Sequence, residues 1–187
     1  MALFLFLLFI ILQRLSELLI AKRNEKWMKQ QGALEFGEDH YLLLVMMHVF
    51  FFISLIVEVQ VLETTISPIW QLLLILFSLT QVLRLWALTS LGKYWNTKII
   101  VQPKANIVIK GPYRFMKHPN YVVVTLELLI IPFLFQAYIT AVVFSLMNAI
   151  ILSIRISVEE QALTELTEYR SAFHESRRFI PRLSKRL

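Results

Sequence analysis

Along this chain the apolar positions gather into unbroken runs, not into the three- and four-residue spacing of a soluble amphipathic helix. Five runs can be drawn, over residues 2–20, 41–60, 68–91, 119–135 and 138–157. A helix needs roughly 20 apolar residues to cross a bilayer, and four of the runs come close to that or exceed it. The fourth run, at about 1.5 Å per residue, is only about 25 Å long and is expected to stop inside the far leaflet or to tilt. Only Gln136 and Ala137 separate runs four and five, which predicts a tight helical hairpin. The first run has no basic start and no small-residue cleavage site, so it is expected to be a retained span and not a secretory leader. The fold class that follows is all-α: one integral membrane domain over residues 1–187, with about five transmembrane helices.

The stretches between the runs differ in kind. Residues 31–39 contain Gly32 and Gly37 and predict a turn-rich connection. Residues 99–101 and 107–109 are short β-branched runs around Pro103, expected to be extended. Beyond the fifth run, Val158, Ala162, Leu163, Leu166, Tyr169 and Phe173 recur mostly three or four apart. They predict a C-terminal amphipathic helix over 158–176, continuing from span five onto the membrane surface.

Charge adds a direction. The chain is 57% hydrophobic with a net charge of +6, and its lysines and arginines sit between the runs. Lys22, Arg23, Lys26 and Lys29 follow run one, whereas the connection between runs two and three has no basic residue. Lys93, Lys98, Lys104, Lys110, Arg114 and Lys117 precede run four, the hairpin turn has none, and the tail is basic again. Basic and basic-free connections alternate, as the positive-inside rule demands of an odd number of spans. The expected topology has the N-terminus outside, with the 93–117 loop and the tail cytosolic. The positive excess therefore reads as membrane topology and not as a nucleic-acid surface. Cysteine is absent, which excludes disulfides, thiolate nucleophiles and palmitoylation.

Two clusters stand out chemically. The first runs from Gly111 to Tyr121 and enters span four. Pro119 suits a first helical turn and His118 falls at the cap. The free N–H groups of that turn can hold a carboxylate, such as that of an amino-acid-like cofactor. The alternative is an interfacial anchor, with Tyr113, Phe115 and Tyr121 as an aromatic belt and Arg114 and Lys117 snorkelling. The second cluster is Arg155, Glu159 and Glu160 at the end of span five. Arg155 and Glu159 share a helix face, so they are either an ordinary ion pair or a site for an anionic oxygen beside a hydrogen-bonding carboxylate.

Arg84 and Glu127 fall inside spans three and four, roughly 10 and 13 Å from the basic ends of those helices. Ionisable groups at that depth need a partner or a wet cavity. They are expected to pair, with a double charge swap rescuing what either reversal breaks. Arg14 and Glu17 in span one read as a separate local pair. His40, His48 and His174 show no metal-ligand spacing, so no metal is expected and these residues are taken as structural or exposed.

At the two clusters the sequence resembles the isoprenylcysteine carboxyl methyltransferase family of membrane enzymes. The resemblance rests on Gly111, Pro112 and Tyr113, on His118, Pro119, Asn120 and Tyr121, on the hairpin, and on Arg155 with Glu159 and Glu160. Glu168 and Tyr169, followed by Pro181, complete it. It covers residues 92–183, the expected methyltransferase-like region. The histidine–proline–tyrosine element alone is shared with phospholipid methyltransferases and sterol reductases; its combination with Arg155, Glu159 and Glu160 is more specific. The resemblance implies a pocket for S-adenosyl-L-methionine formed by Gln102, Ala105, Asn106, Ile107, Val108, Tyr113, His118, Pro119, Asn120, Tyr121 and Glu159. It makes Arg155 and Glu159 the catalytic pair, with Arg155 orienting the oxygen of a lipophilic substrate that enters from the bilayer. One departure is Val123, where many members carry glycine. The amino-terminal half, with Arg14, Leu15, Ser16 and Glu17 and the stretch Gly32–Tyr41, looks like a bacterial subgroup linked to O-methylation of long-chain alkylpyrones, which implies a bacterial plasma membrane.

The implied chemistry suits these residues. A carboxylate or acidic enol is already ionised near pH 7 and needs no general base, which fits a site with an arginine and no evident nucleophile. His118 would be needed as a base only for a less acidic hydroxyl. The rival readings are a phospholipid N-methyltransferase, whose amine acceptor Arg155 would oppose, and a non-catalytic membrane scaffold of the same fold. An NADPH reductase ranks lower, because no glycine-rich phosphate motif is present.

Overall fold

The computed structural model describes residues 2–173 and 178–179. Expectations that fall on His174, Pro181 and the basic residues Arg177, Arg182, Lys185 and Arg186 lie outside the described residues. The helices are α1 (Ala2–Gln30), α2 (Glu38–Val61), α3 (Trp70–Leu91), α4 (Pro119–Leu134), α5 (Tyr138–Leu166) and the single turn α6 (Tyr169–Ala172). Four of them, α1, α2, α3 and α5, are long and apolar enough to cross a membrane. The 16 residues of α4 rise only about 24 Å, so the fourth span is short, as its run predicted.

The surface is the reverse of a soluble protein's. Large apolar side chains such as Leu19, Val61, Leu79 and Leu146 are exposed, whereas Arg84, Glu127, Thr140 and Asn148 are buried. That distribution is stable when lipid, not water, covers the outside. The chain is an integral membrane protein.

α4 packs between α3 and α5, and α5 packs against α2. The hairpin turns through Gln136 at φ 54, and the link is tied to the α2–α3 connection by Ser67 N–H to the Leu134 carbonyl (3.0 Å) and Thr64 Oγ1 to the Phe135 carbonyl (2.7 Å). Glu58 of α2 receives the Ile139 and Thr140 backbone N–H groups at 2.9 and 2.7 Å, and the Thr140 hydroxyl at 2.6 Å. A buried carboxylate therefore caps the start of α5, where the helix dipole favours negative charge.

At the opposite, basic end the connection over 31–39 holds more than turns. Leu34–Phe36 (β1) pairs antiparallel with Ile99–Val101 (β2), Glu35 facing Ile100. Phe36, Ile99 and Val101 pack against Val158, Ala162, Leu163 and Leu166 of α5. The expected helix continuing from span five is present but ends earlier: α5 runs unbroken to Leu166 and stops at Thr167, and its apolar face covers the two-stranded ribbon. A three-four spacing cannot tell a ribbon from lipid as the apolar partner.

The deep charges are also differently connected. Arg84 Nη2 donates to Glu127 at 2.5 Å, as expected, but Arg84 Nη1 also reaches Glu17 at 3.1 Å. Arg14 pairs with Glu17 at 3.0 Å and with Glu127 as well. The separate local pair is thus half of one network joining α1, α3 and α4. Gln81 donates to Glu127 at 2.7 Å and accepts from Gln13 at 2.6 Å, so the network carries neutral hydrogen bonds too.

Candidate active site

The first cluster is built by a turn that only glycine can begin. Gly111 has φ +56, and a Cβ there would lie 2.0 Å from Ser90 Oγ and 2.8 Å from Trp86 Nε1. The turn Gly111–Arg114 is thereby docked on α3 and delivers Tyr113 to the interior. Burial first, and the Glu159 carboxylate second, push the Tyr113 phenol well above its ordinary value, so it stays protonated and able to donate.

Pro119 opens α4 at its first turn and His118 sits at the cap. His118 Nε2 lies 3.1 Å from Glu160 Oε1, and its backbone N–H donates to the Arg178 carbonyl. Glu160 is gripped in turn by Arg178 Nη2 at 2.7 Å. The His118 ring is stacked against Tyr121 at 5.3 Å and lies 3.8 Å from Glu159 through Nδ1. One turn of α5 away, Arg155 is buried and donates from Nε to the Tyr121 hydroxyl at 3.0 Å and from Nη2 to the Thr97 carbonyl at 2.5 Å. Tyr121 completes the chain by donating to Glu159 Oε2 at 2.5 Å. The start of α4 and the end of α5 therefore meet in one hydrogen-bonded line from Arg155 through Tyr121 to Glu159.

Two hollows adjoin that line. The first encloses about 720 Å³ of empty space, including its open mouth, and is lined by Gln102, Ala105, Asn106, Ile107, Val108, Tyr113, His118 and Glu159. Met28, Tyr94, Thr167, Tyr169 and Phe173 are also in its wall. Lys104, at φ 60, donates its N–H to the Leu166 carbonyl at 2.8 Å and so pins the 102–108 stretch to the end of α5. The second hollow, about 1430 Å³, reaches from the same point toward the middle of the bundle. Tyr113, Lys117, His118 and Glu159 border both.

The residues singled out from sequence thus divide. Asn120, Tyr121 and Arg155 face the larger hollow, and Pro119 is buried at the helix start and borders neither. The two hollows adjoin along Leu91, Tyr113, Lys117, His118 and Glu159. Tyr169 was legible as an apolar position and as part of the family resemblance, Phe173 only as an apolar position, and Tyr94 and Met28 carried no signal. His48 is not merely structural: it borders the larger hollow, with Nδ1 held 2.8 Å from the Leu44 carbonyl. Val123, the departure from glycine, is fully buried.

The α4–α5 hairpin thus carries a histidine–proline–tyrosine turn at the start of one helix and an arginine–glutamate pair near the end of the other. The sequence profile of the isoprenylcysteine carboxyl methyltransferase family matches residues 72–165, half of the chain. The uncharacterized protein YpbQ of Bacillus subtilis (strain 168) is 51% identical over 156 residues, covering 83% of this chain and 93% of that protein. An uncharacterized protein of Haemophilus influenzae is 28% identical over 154 residues, covering 82% and 90%. The chain belongs to the isoprenylcysteine carboxyl methyltransferase family, and is a membrane-embedded methyltransferase.

Proposed function

We propose that the protein transfers a methyl group from S-adenosyl-L-methionine to an oxygen, carboxylate or acidic enol or phenol, of a lipophilic acceptor. The observation that carries this reading is the line Arg155–Tyr121–Glu159, which runs along the larger hollow and ends on Glu159, a residue that borders both hollows. The smaller hollow suits the cofactor. Gln102 Oε1 and the Tyr169 hydroxyl are buried there without a partner among the described residues, so two polar groups are open to a ligand. Glu159 can accept from a ribose hydroxyl or an ammonium group, and Tyr94, Tyr113 and Phe173 offer ring faces to a base. When bound, S-adenosyl-L-methionine supplies an electrophilic methyl on a positively charged sulfur.

The remaining work falls to the chain's own residues. Arg155 uses two of its N–H donors on Tyr121 and Thr97, and a guanidinium has five, so donors remain for an anionic oxygen. Leu18, Leu44, Val45, Val49, Phe52, Val124 and Leu152 give the larger hollow an apolar side for the acceptor's body, opposite charged groups that include Arg14, Glu17 and Arg84. Tyr121 holds Arg155 and Glu159 in fixed relation, which aligns acceptor and donor. Since the oxygen arrives ionised, no base is required, and His118 is a fixed wall engaged with Glu160.

The membrane is a bacterial plasma membrane in this reading, with the N-terminus outside and the site in the cytosolic leaflet. The partners are membrane lipids and a lipophilic small molecule, for which a long-chain alkylpyrone is the leading candidate. A phospholipid amine is a poorer acceptor, because Arg155 faces the larger hollow. Calorimetry of the detergent-purified protein with S-adenosyl-L-methionine tests the cofactor; lipid extracts of deletion and overexpression strains, compared for a mass difference of one methyl group, identify the acceptor. Absence of cofactor binding would return the scaffold reading.

A further inference from the structure

The larger hollow is polar at two levels. Near the basic end it is bordered by the line of Arg155, Tyr121 and Glu159. Deeper in the bundle Arg14, Glu17, Arg84 and His48 border the same space. Tyr121 receives Arg155, and Glu127, two turns further along α4, receives both Arg14 and Arg84. The separation of positions 121 and 127 sets the two levels roughly 9 Å apart along the helix. Leu44, Val124 and Leu152 belong to the apolar side of the hollow.

The deep level is balanced in charge but not in hydrogen bonds. Arg14 and Arg84 are matched by Glu17 and Glu127, so no net charge draws an anion there. Arg84 is almost wholly buried, and its Nε has no partner among the described residues. The Leu44 carbonyl can only accept, so His48 Nδ1 donates in their 2.8 Å bond. In the neutral ring Nε2 is then an acceptor, and it has no partner among the described residues. A wholly apolar chain filling this end would strip water from these groups and return nothing. A hydroxyl answers both needs: its oxygen accepts from a guanidinium N–H, and its proton goes to His48 Nε2.

We infer that the deep level is a second subsite of the acceptor chamber, which takes a neutral hydroxyl carried on the acceptor's chain roughly 9 Å from the oxygen that is methylated. The inference rests on the larger hollow being the acceptor site. It narrows the acceptor class to lipophiles with an oxygenated chain, and it makes His48 a specificity residue. A plain alkyl chain leaves His48 Nε2 and Arg84 Nε unpaired, and sites built to bond a hydroxyl discriminate strongly against analogues that lack it.

The test compares palmitic acid with hydroxypalmitic acids bearing the hydroxyl on the fourth, eighth, twelfth or last carbon. Each is titrated calorimetrically into the protein in phosphatidylcholine nanodiscs, with empty nanodiscs as the partitioning blank. An extended chain puts the eighth carbon at about the required distance from the carboxylate. The acid hydroxylated there is expected to bind about ten-fold or more tightly than palmitic acid and the last-carbon isomer. His48→Phe keeps a ring, loses the acceptor nitrogen, and is expected to erase that preference. Its melting temperature is the folding control; if the variant does not fold, the positional series in the native protein decides alone. Equal affinity across the series, a preference for the last-carbon isomer, or a preference that survives His48→Phe would overturn the inference. Arg155→Ala and S-adenosyl-L-methionine titrations on the same samples separate the two readings. Uniform binding that Arg155→Ala weakens, with S-adenosyl-L-methionine still bound, removes the deep subsite alone. Position-selective binding without affinity for S-adenosyl-L-methionine supports the subsite and removes the methyltransferase reading.

Discussion

Tyr121 and Glu159, 38 residues apart in the chain, share a 2.5 Å hydrogen bond where the two hollows adjoin. The same hydroxyl accepts from Arg155, so one phenol sets the spacing of the two charged side chains. Tyr121→Phe keeps the ring and its stacking on His118 but breaks that line. Turnover is expected to fall about 10- to 100-fold with a smaller change in cofactor affinity, since misplacement of about 1 Å has effects of that size. Single-turnover methylation beside calorimetry checks this; equal losses in both would make Tyr121 a plain cofactor contact.

Arg155 and Glu159 separate in function. Arg155→Ala is expected to lose about 100-fold or more in turnover while cofactor binding persists, because its unused donors face the acceptor chamber. Glu159→Ala is expected to lose both, since its carboxylate borders both hollows. Unchanged methylation by purified Arg155→Ala would refute its assigned role.

The deep network makes the charge-swap experiment more demanding than a simple pair would. Glu127→Arg alone is expected to cost about 3–5 kcal/mol, the usual result of leaving a buried charge without its partner. The double swap of Arg84 and Glu127 is expected to fail as well. A glutamate at position 84 would meet Glu17, and an arginine at position 127 would meet Arg14. Reversing all four charges together should recover stability. Melting temperatures in detergent decide, and rescue by the double swap alone would show that Arg14 and Glu17 stand apart.

Glu58 should matter for folding and not for chemistry. Glu58→Ala leaves the Ile139 and Thr140 N–H groups without their acceptor, each worth about 1–3 kcal/mol when buried. Reduced thermal stability with near-normal cofactor affinity is the expected pattern, and equal stability of the variant would discount the cap.

The β1–β2 ribbon carries a pH signature. Burial alone would raise the Glu35 carboxyl, but hydrogen bonds from Lys29 and Lys98 outweigh it and hold the group below its ordinary value. Its contribution is therefore complete above about pH 4.5 and fades as pH falls through the depressed value. The Lys98 ammonium is raised, chiefly by its bond to Glu35, so its contribution is complete below about pH 10 and fades above its raised value. Amide-exchange protection of residues 34–36 and 99–101 should be flat between these limits and decline outside them. Lys98→Gln should weaken the acid arm.

How much was legible in the sequence varied with the range of the interaction. Run length and the alternation of basic loops determined the spans, the short fourth helix, the hairpin and the two chemical clusters, because lipid acts on each helix separately and demands apolar length of it. Pro119 and the Gln136–Ala137 link marked their turns for the same local reason. Only the tertiary structure decided what each polar group faces. It joined Arg14 and Glu17 to Arg84 and Glu127, paired Leu34–Phe36 with Ile99–Val101, and turned the apolar face of α5 onto that ribbon. It also set Tyr121 between Arg155 and Glu159 at the edge of the larger hollow. Periodicity records that a face is apolar and depth records that a charge needs a partner. Which surface or charge answers depends on how the helices pack against one another, and that is a property of the whole bundle.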